Sequence, residues 1–311
     1  MAQINCCDLV KRLIQISLLI IIVTSLQAGD DFTRKGADSC LKCHDEESEF
    51  PVLSIFKTKH ASKVDKDSPF ASAQCETCHG PGKDHGRAQK KGKDDSPMLT
   101  FGKTAQTPAI KQNEICLGCH KTHTQLAWEG SIHAEEDVAC ASCHQVHIPR
   151  DRVFNAELQQ QTCFSCHPKT KAELHRASTH PLRFGKMTCT DCHNPHDSNN
   201  DSLLTRSTIN DTCYDCHAEK RGPFLWEHAP VSEDCTLCHN PHGSNHQAML
   251  KQRTPLLCQQ CHAPSGHPTT AYTSENATSS FQSRFILGRS CLNCHSQVHG
   301  SNHPSGATIT R

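Results

Sequence analysis

Apolar residues are scarce in this chain of 311 residues: the hydrophobic set makes up 35% and the aromatics 5%, with two Trp and two Tyr. A conventional core of that size needs more, and on composition alone the chain reads as partly disordered. Net charge is missing as well, 32 basic residues against 32 acidic ones, so no nucleic acid partner and no anionic membrane surface is implied. The apolar run Leu13 to Val23 falls short of the about 20 residues of a transmembrane helix. No carboxylate pair, Ser/His/Asp set or phosphate-binding loop rises above background, which leaves hydrolytic and nucleotide chemistry without support and no catalytic residue to name. Spare thiols are absent too. Of 22 Cys, 20 sit in one repeated motif, and Cys6 and Cys7 lie in the N-terminal leader.

That motif is Cys-x-x-Cys-His, present ten times. The first five copies are Cys40, Cys43 and His44; Cys75, Cys78 and His79; Cys116, Cys119 and His120; Cys140, Cys143 and His144; Cys163, Cys166 and His167. The last five are Cys189, Cys192 and His193; Cys213, Cys216 and His217; Cys235, Cys238 and His239; Cys258, Cys261 and His262; Cys291, Cys294 and His295. It is the attachment signature of a c-type haem. The two thiols add to the two vinyl groups of one porphyrin, and the adjacent His reaches the iron from one face. A zinc half-site does not require His after every second Cys, and a dithiol oxidoreductase needs one motif rather than ten. Ten covalently attached haem c groups supply the apolar bulk that the polypeptide lacks. The apoprotein is then expected to be largely unfolded, with attachment and ligation driving folding. Two propionates per haem make the holoprotein acidic by roughly ten charges, so a basic patch on a partner is the expected docking surface.

Residues Met1 to Ala28 have the form of a secretory signal, with Lys11 and Arg12 ahead of the apolar run and small residues before a cleavage point after Ala28. Haem attachment to this motif in bacteria takes place outside the cytoplasmic membrane, so leader and motifs agree on the periplasm.

From His120 onward the chain is periodic. Cys140, Cys189 and Cys235 are 49 and 46 residues apart, and Cys163, Cys213 and Cys258 are 50 and 45 apart. Ahead of the first motif of each two-haem unit stands a His, at His133, His180 and His228; just behind it stands another, at His147, His196 and His242. Extending the frame outward adds His60 and His85 near the second motif and His267 and His299 near the tenth. Ten motif His and ten candidate distal His are the stoichiometry of six-coordinate iron with two imidazoles, leaving His123, His175, His246 and His303 of 24 unassigned.

Apolar spacing predicts a helix over 48–60 ending in His60, and short helices over 125–133 and 224–228. Gly, Lys, Pro and Asp make 80–107 read as a solvated loop, and 266–288 as a surface excursion. Trp128 and Trp226 fit either porphyrin faces or local packing.

The segments Gly36 to Cys40, Gln74 to Pro81 and Ala139 to His147, together with Cys216 to Pro230 and the ending Cys291 to His303, resemble the DmsE/MtrA-type periplasmic decahaem c-type cytochromes. The resemblance runs over essentially the whole mature chain. It implies a mainly α and irregular fold, short helices and loops wrapped around a row of ten haems, with little or no β-sheet. It also implies two related pentahaem halves, over 29–170 and 171–311, following the signal peptide. The implied partners are an outer-membrane β-barrel protein, an extracellular multihaem cytochrome or terminal reductase, and a periplasmic or inner-membrane quinol-linked cytochrome donor. The implied role is a conduit, inserted from the periplasm into the barrel, to extracellular acceptors such as metal oxides or dimethyl sulfoxide. His303 competes with His299 for the last distal position.

Two imidazoles per iron leave no open coordination site for a substrate, and Met98, Met187 and Met249 are too few and scattered for His/Met ligation. The expectation is electron transfer rather than catalysis. The rivals are a soluble periplasmic shuttle, which polarity alone does not separate from a barrel-inserted wire, and a multihaem reductase, which needs a five-coordinate haem.

Overall fold

The computed structural model describes residues 31–47, 52–93, 97–121, 127–196, 200, 202–262 and 291–310. The leader, the 266–288 excursion, His123 and His267 lie outside them. Helices are short: Ala109–Leu117 spans 9 residues and Lys83–Lys90 spans 8. Among the described residues there is no strand, only isolated bridges such as Ser178 with Ser244 and Trp226 with Ser301. No described helix is long and apolar enough to cross a membrane. The fold is thus mainly α and irregular.

Very little of the polypeptide packs on itself. Ala37, Phe70, Ala88, Trp128, Ala139, Leu174 and Leu203 are the buried apolar residues among those described, while Phe154 and Phe184 stay largely exposed. Most buried side chains are polar, and hydrogen bonds to them tie separate segments together. Glu76, 3% exposed, accepts from the Thr33 backbone and hydroxyl and from the Gly82 backbone, pinning the lead-in segment to the second motif.

Chain contacts group the molecule into two units. One comprises Met1–Lys121 and Asp137–Asp151, with the motifs beginning at Cys40, Cys75, Cys116 and Cys140; the other comprises Thr122–Glu136 and Arg152–Arg311, with the remaining six. This grouping follows contacts of the polypeptide, whereas the expected halves count haems, so it does not bear on a division at residue 170.

Four local expectations change. Instead of one helix over 48–60 there are two 3-10 turns, Leu53–Lys57 and Lys59–Ala61, separated where Thr58 turns extended; residues 48–51 lie outside the described set. The supposed loop after Gly80 contains the helix Lys83–Lys90, whose Lys, Arg, Ala and Gln residues are good helix formers and which anchors itself through buried Ala88. Residues 127–133 form a 3-10 turn, Trp128–Gly130, followed by the helix Ile132–Glu135 capped by the Ser131 side chain. Residues 224–228 are not helical, because Trp226 exchanges backbone hydrogen bonds with Ser301, and the helix begins only at Ala229. In that last case a partner distant in sequence overrides local pattern.

Candidate haem-binding sites

Each motif closes as one helical turn. In nine of them the His backbone N–H donates to the carbonyl of the first Cys at 2.9–3.0 Å, and Cys75–His79 is itself a short helix. Residues three and four apart share a helix face. Both thiols and the imidazole of a motif therefore point to one side, as attachment to a single flat ring requires. All twenty described Cys are free of disulfides.

The imidazoles come together in pairs, each joining a motif His to one outside the motifs. In the first unit the ring centres of His44 and His85 are 6.4 Å apart, those of His79 and His147 6.1 Å, and those of His120 and His60 6.1 Å. In the second unit His167 and His133 are 6.2 Å apart, His193 and His242 6.0 Å, His217 and His180 6.3 Å, His239 and His299 6.2 Å, and His262 and His228 6.1 Å. Each arrangement can hold one metal ion axially from both sides. Sequence neighbourhood does not reveal these partners. His133, His180 and His228 each bypass the motif just ahead of them and pair with the next one, and His60 and His85, both near the second motif in sequence, lie against the third and the first.

The remaining motif imidazoles are His144 and His295. Of the other sequence candidates, His196 lies 6.1 Å from the buried Trp128 ring, which also stacks at 6.4 Å on His133, and His267 lies outside the described residues. His303 is engaged otherwise: its Nδ1 accepts from the Ser305 N–H and its carbonyl accepts from Trp226 Nε1.

The second ring nitrogen is fixed in a recurring way. His79, His193, His239 and His295 donate Nδ1–H to the carbonyls of Leu99, Ser202, Ala248 and Thr308 at 2.7–2.8 Å. His133, His180 and His228 donate to the carbonyls of Pro195, Pro241 and Val298 at 3.0–3.1 Å. With Nδ1 protonated, Nε2 is left as the lone-pair nitrogen that a metal needs. Burial, followed by the facing imidazole, lowers the pKa of His60 and His147 and so favours the neutral, ligating form. Burial lowers His79, His242 and His299 as well.

Thiols of successive motifs are neighbours within each unit. A hydrogen bond from Cys40 brings the Cys75 thiol down to about 7, and one from Cys140 does the same for Cys116. Cys78, raised mainly by burial, also feels Cys116 and Cys119. In the second unit the thiols influence one another electrostatically in the order Cys163 with Cys189, Cys192 with Cys216, Cys213 with Cys235, Cys238 with Cys261 and Cys258 with Cys291. Burial, ahead of the neighbouring thiol, pushes Cys213 up to about 12 and Cys258 up to about 11, which disfavours bare thiolate chemistry at either. Among the described residues no three His, Cys, Asp or Glu side chains converge on a bare metal site.

A set of buried amides outside the motifs holds paired motifs together. Asn113, Gln159 and Asn210 accept from the backbone N–H of Cys140, Cys189 and Cys235 at 2.7–2.9 Å. Each sits three or four residues ahead of the first Cys of the preceding motif. Their own amide N–H groups donate to the carbonyls of Val138, Val153 and Val231. That recurrence was the one signal available.

Comparison with known proteins agrees with the site. The doubled CXXCH motif matches residues 180–222 and 228–267, the NrfB-like c-type cytochrome family matches 75–160, and the cytochrome c554 and c-prime family matches 24–80. The multiheme cytochrome MtrA of Shewanella baltica is 52% identical over 286 residues, covering 91% of this chain and 84% of that protein. The cytochrome c-type protein NrfB of Escherichia coli is 28% identical over 152 residues, 45% of this chain and 73% of that protein.

Proposed function

The chain belongs to the MtrA family of multihaem c-type cytochromes, electron-transfer proteins with covalently attached haem c, and we propose that it holds ten haems as a periplasmic conduit through an outer-membrane β-barrel partner. When bound, each haem supplies a one-electron ferric/ferrous couple. The twenty motif Cys would hold the porphyrins as thioethers, and the ten motif His would each provide one nitrogen to an iron. His60, His85, His133, His147, His180, His228, His242 and His299 provide the opposite nitrogen at the motifs they lie against, with His196 and His267 the remaining distal candidates.

The observation that carries this reading is the uniform spacing of the imidazole pairs. A metal–nitrogen bond of about 2.0 Å on each side, with about 1.1 Å from nitrogen to ring centre, requires about 6.2 Å between centres. The eight separations span 6.0–6.4 Å, while the angle between ring planes ranges from 14° to 65°. A fixed distance with free rotation is what two ligands sharing one axis produce, and ordinary ring packing would couple the two. Occupying both axial positions excludes substrates from the iron, so the residues favour outer-sphere transfer over reduction chemistry. Neighbouring thiols of successive motifs support passage of electrons in chain order within each unit. A polar exterior suits the polar lumen of a barrel whose apolar band is about 25 Å tall. The donor is proposed to be a quinol-linked cytochrome of the periplasm or inner membrane, and the acceptor an extracellular multihaem cytochrome or terminal reductase acting on metal oxides or dimethyl sulfoxide.

The test is mild-detergent extraction of outer membranes from cells expressing the protein with its genomic neighbours, followed by size separation and haem staining. Co-elution of the haem band with a β-barrel protein is the expected result. Recovery only as a soluble periplasmic protein would replace the conduit with a diffusing shuttle.

A further inference from the structure

Among the motif imidazoles with a fixed Nδ1, His144 differs from the rest. Its Nδ1–H donates to a carboxylate, Asp151 Oδ2, at 2.7 Å, where His79, His193, His239 and His295 donate to neutral backbone carbonyls. The Asp151 side chain is only 12% exposed, so water screens the contact weakly. His217, at 3.9 Å from Glu219, and His242, at 3.7 Å from Glu173, also approach a carboxylate, but both distances exceed hydrogen-bond reach.

The local chain explains the substitution. After Cys189, Cys235 and Cys291 the backbone returns through a residue of positive φ, Leu203, Met249 or Ile309, and the carbonyl just before it meets the imidazole. After His144 the chain instead runs through Ile148-Pro149, and a side chain seven residues on, Asp151, supplies the acceptor.

The geometry points to Asp151 as a positioning residue that lowers the reduction potential of the iron held by His144 relative to those held by His79, His193, His239 and His295. A hydrogen bond to an anion draws the Nδ1 proton away, makes the imidazole a stronger donor and stabilises ferric over ferrous iron. Charge-assisted hydrogen bonds are about twice as strong as neutral ones. The inference rests on the reading of His144 as an axial ligand to a haem attached at Cys140 and Cys143.

The experiment is spectroelectrochemical titration of the purified holoprotein as wild type, Asp151→Asn and Asp151→Glu, with EPR of the ferric state and mass analysis of the haem peptides. In Asp151→Asn one low-potential component, about a tenth of the absorbance change, should move so that its reduced-to-oxidised ratio at fixed potential rises about tenfold, the size expected from losing a charge-assisted bond. Asp151→Glu, which keeps the anion, should titrate close to wild type, and all haems should remain low-spin in both. A titration of Asp151→Asn that overlays wild type overturns the inference, as does loss of haem or high-spin iron in that variant, which would mark Asp151 as a structural prop. A wild-type Cys140–Cys143 peptide without haem mass would instead refute the ligand reading on which it rests.

Discussion

His180 Nδ1 donates to the carbonyl of Pro241 at 3.0 Å, and Pro241 immediately precedes His242. Since His180 lies against His217 while His242 lies against His193, one hydrogen bond ties the imidazole facing His217 to the main chain beside the imidazole facing His193. Two backbone bonds between Ser178 and Ser244 lock the same junction. The device recurs where His228 donates to the Val298 carbonyl beside His299, with Trp226 and Ser301 as the locked pair. Successive sites are thus held in mutual register by main chain, which suits a protein whose function depends on fixed distances between centres.

Removing one of these imidazoles should expose which iron it serves. His180→Ala is expected to convert one haem to high-spin, five-coordinate ferric iron without releasing it, because both thioethers and His217 remain. EPR should show one high-spin centre with unchanged total haem. The site affected should be the one at Cys213 and Cys216, not the nearer motif at Cys189. Loss of a haem, or an unchanged low-spin spectrum, would contradict the pairing.

The junction glycine Gly243 tests how tightly that register is set, with Gly86 as the control. Gly243 has φ +129°, and an added Cβ would collide with the Glu173 carbonyl oxygen and lie 2.6 Å from Thr179 Cγ2. Gly243→Ala should cost about 2 kcal/mol or more, since backbone in that region and a clash with main chain are both unfavourable. At Gly86, inside the helix Lys83–Lys90, an added Cβ would meet nothing within 4 Å. Gly86→Ala should therefore be neutral or stabilise by about 0.5–1 kcal/mol. Thermal unfolding of the two variants, followed in the Soret band, decides the matter. Equal midpoints would dismiss the steric account.

What the sequence made legible follows from the range of the chemistry. Thioether attachment needs two Cys and a His within one turn, so every motif could be read locally. The His outside the motifs were visible as a recurring set, but the motif imidazoles they lie against are from 34 residues away, His133 to His167, to 68, His79 to His147, and no local pattern encodes that. The same limit applies to 224–228, whose bridge partner Ser301 lies in the final segment, and to Asp151, which looks like any surface acid until His144 is placed beside it. The helix Lys83–Lys90 was hidden for another reason: its polar composition resembles a loop, although its Lys, Arg, Ala and Gln also favour helix.

The amide clamps should matter for assembly as much as for stability. Asn210→Ala would strand the Cys235 N–H and the carbonyls of Val231 and Ser232, at a cost of about 1–3 kcal/mol for buried groups left unpaired. Since the clamp brings the chain at Cys235 alongside the motif at Cys213, haem attachment at Cys235 and Cys238 is expected to become incomplete. Intact-mass analysis should then show a population lacking one haem. Full occupancy with unchanged stability would remove the clamp from the folding argument.

The surroundings of His299 and His303 favour His299 as the ligand. His299 lies 6.2 Å from His239, with ring planes only 14° apart, and burial lowers its pKa, which keeps it in the neutral form that ligates. His303 stands where His246 stands in the preceding repeat: each follows a Ser whose hydroxyl accepts its backbone N–H, in Ser301 and Ser244. The ring of His303 uses Nδ1 as an acceptor from Ser305, so its proton resides on Nε2, the nitrogen that a ligand must leave bare. His299→Ala should accordingly produce one high-spin haem at the Cys235 motif. His303→Ala should leave the ferric spectrum low-spin and cost only the local hydrogen bonds to Ser305. The reverse outcome, high-spin iron on loss of His303 alone, would transfer the ligand role to it and withdraw the pairing of His239 with His299.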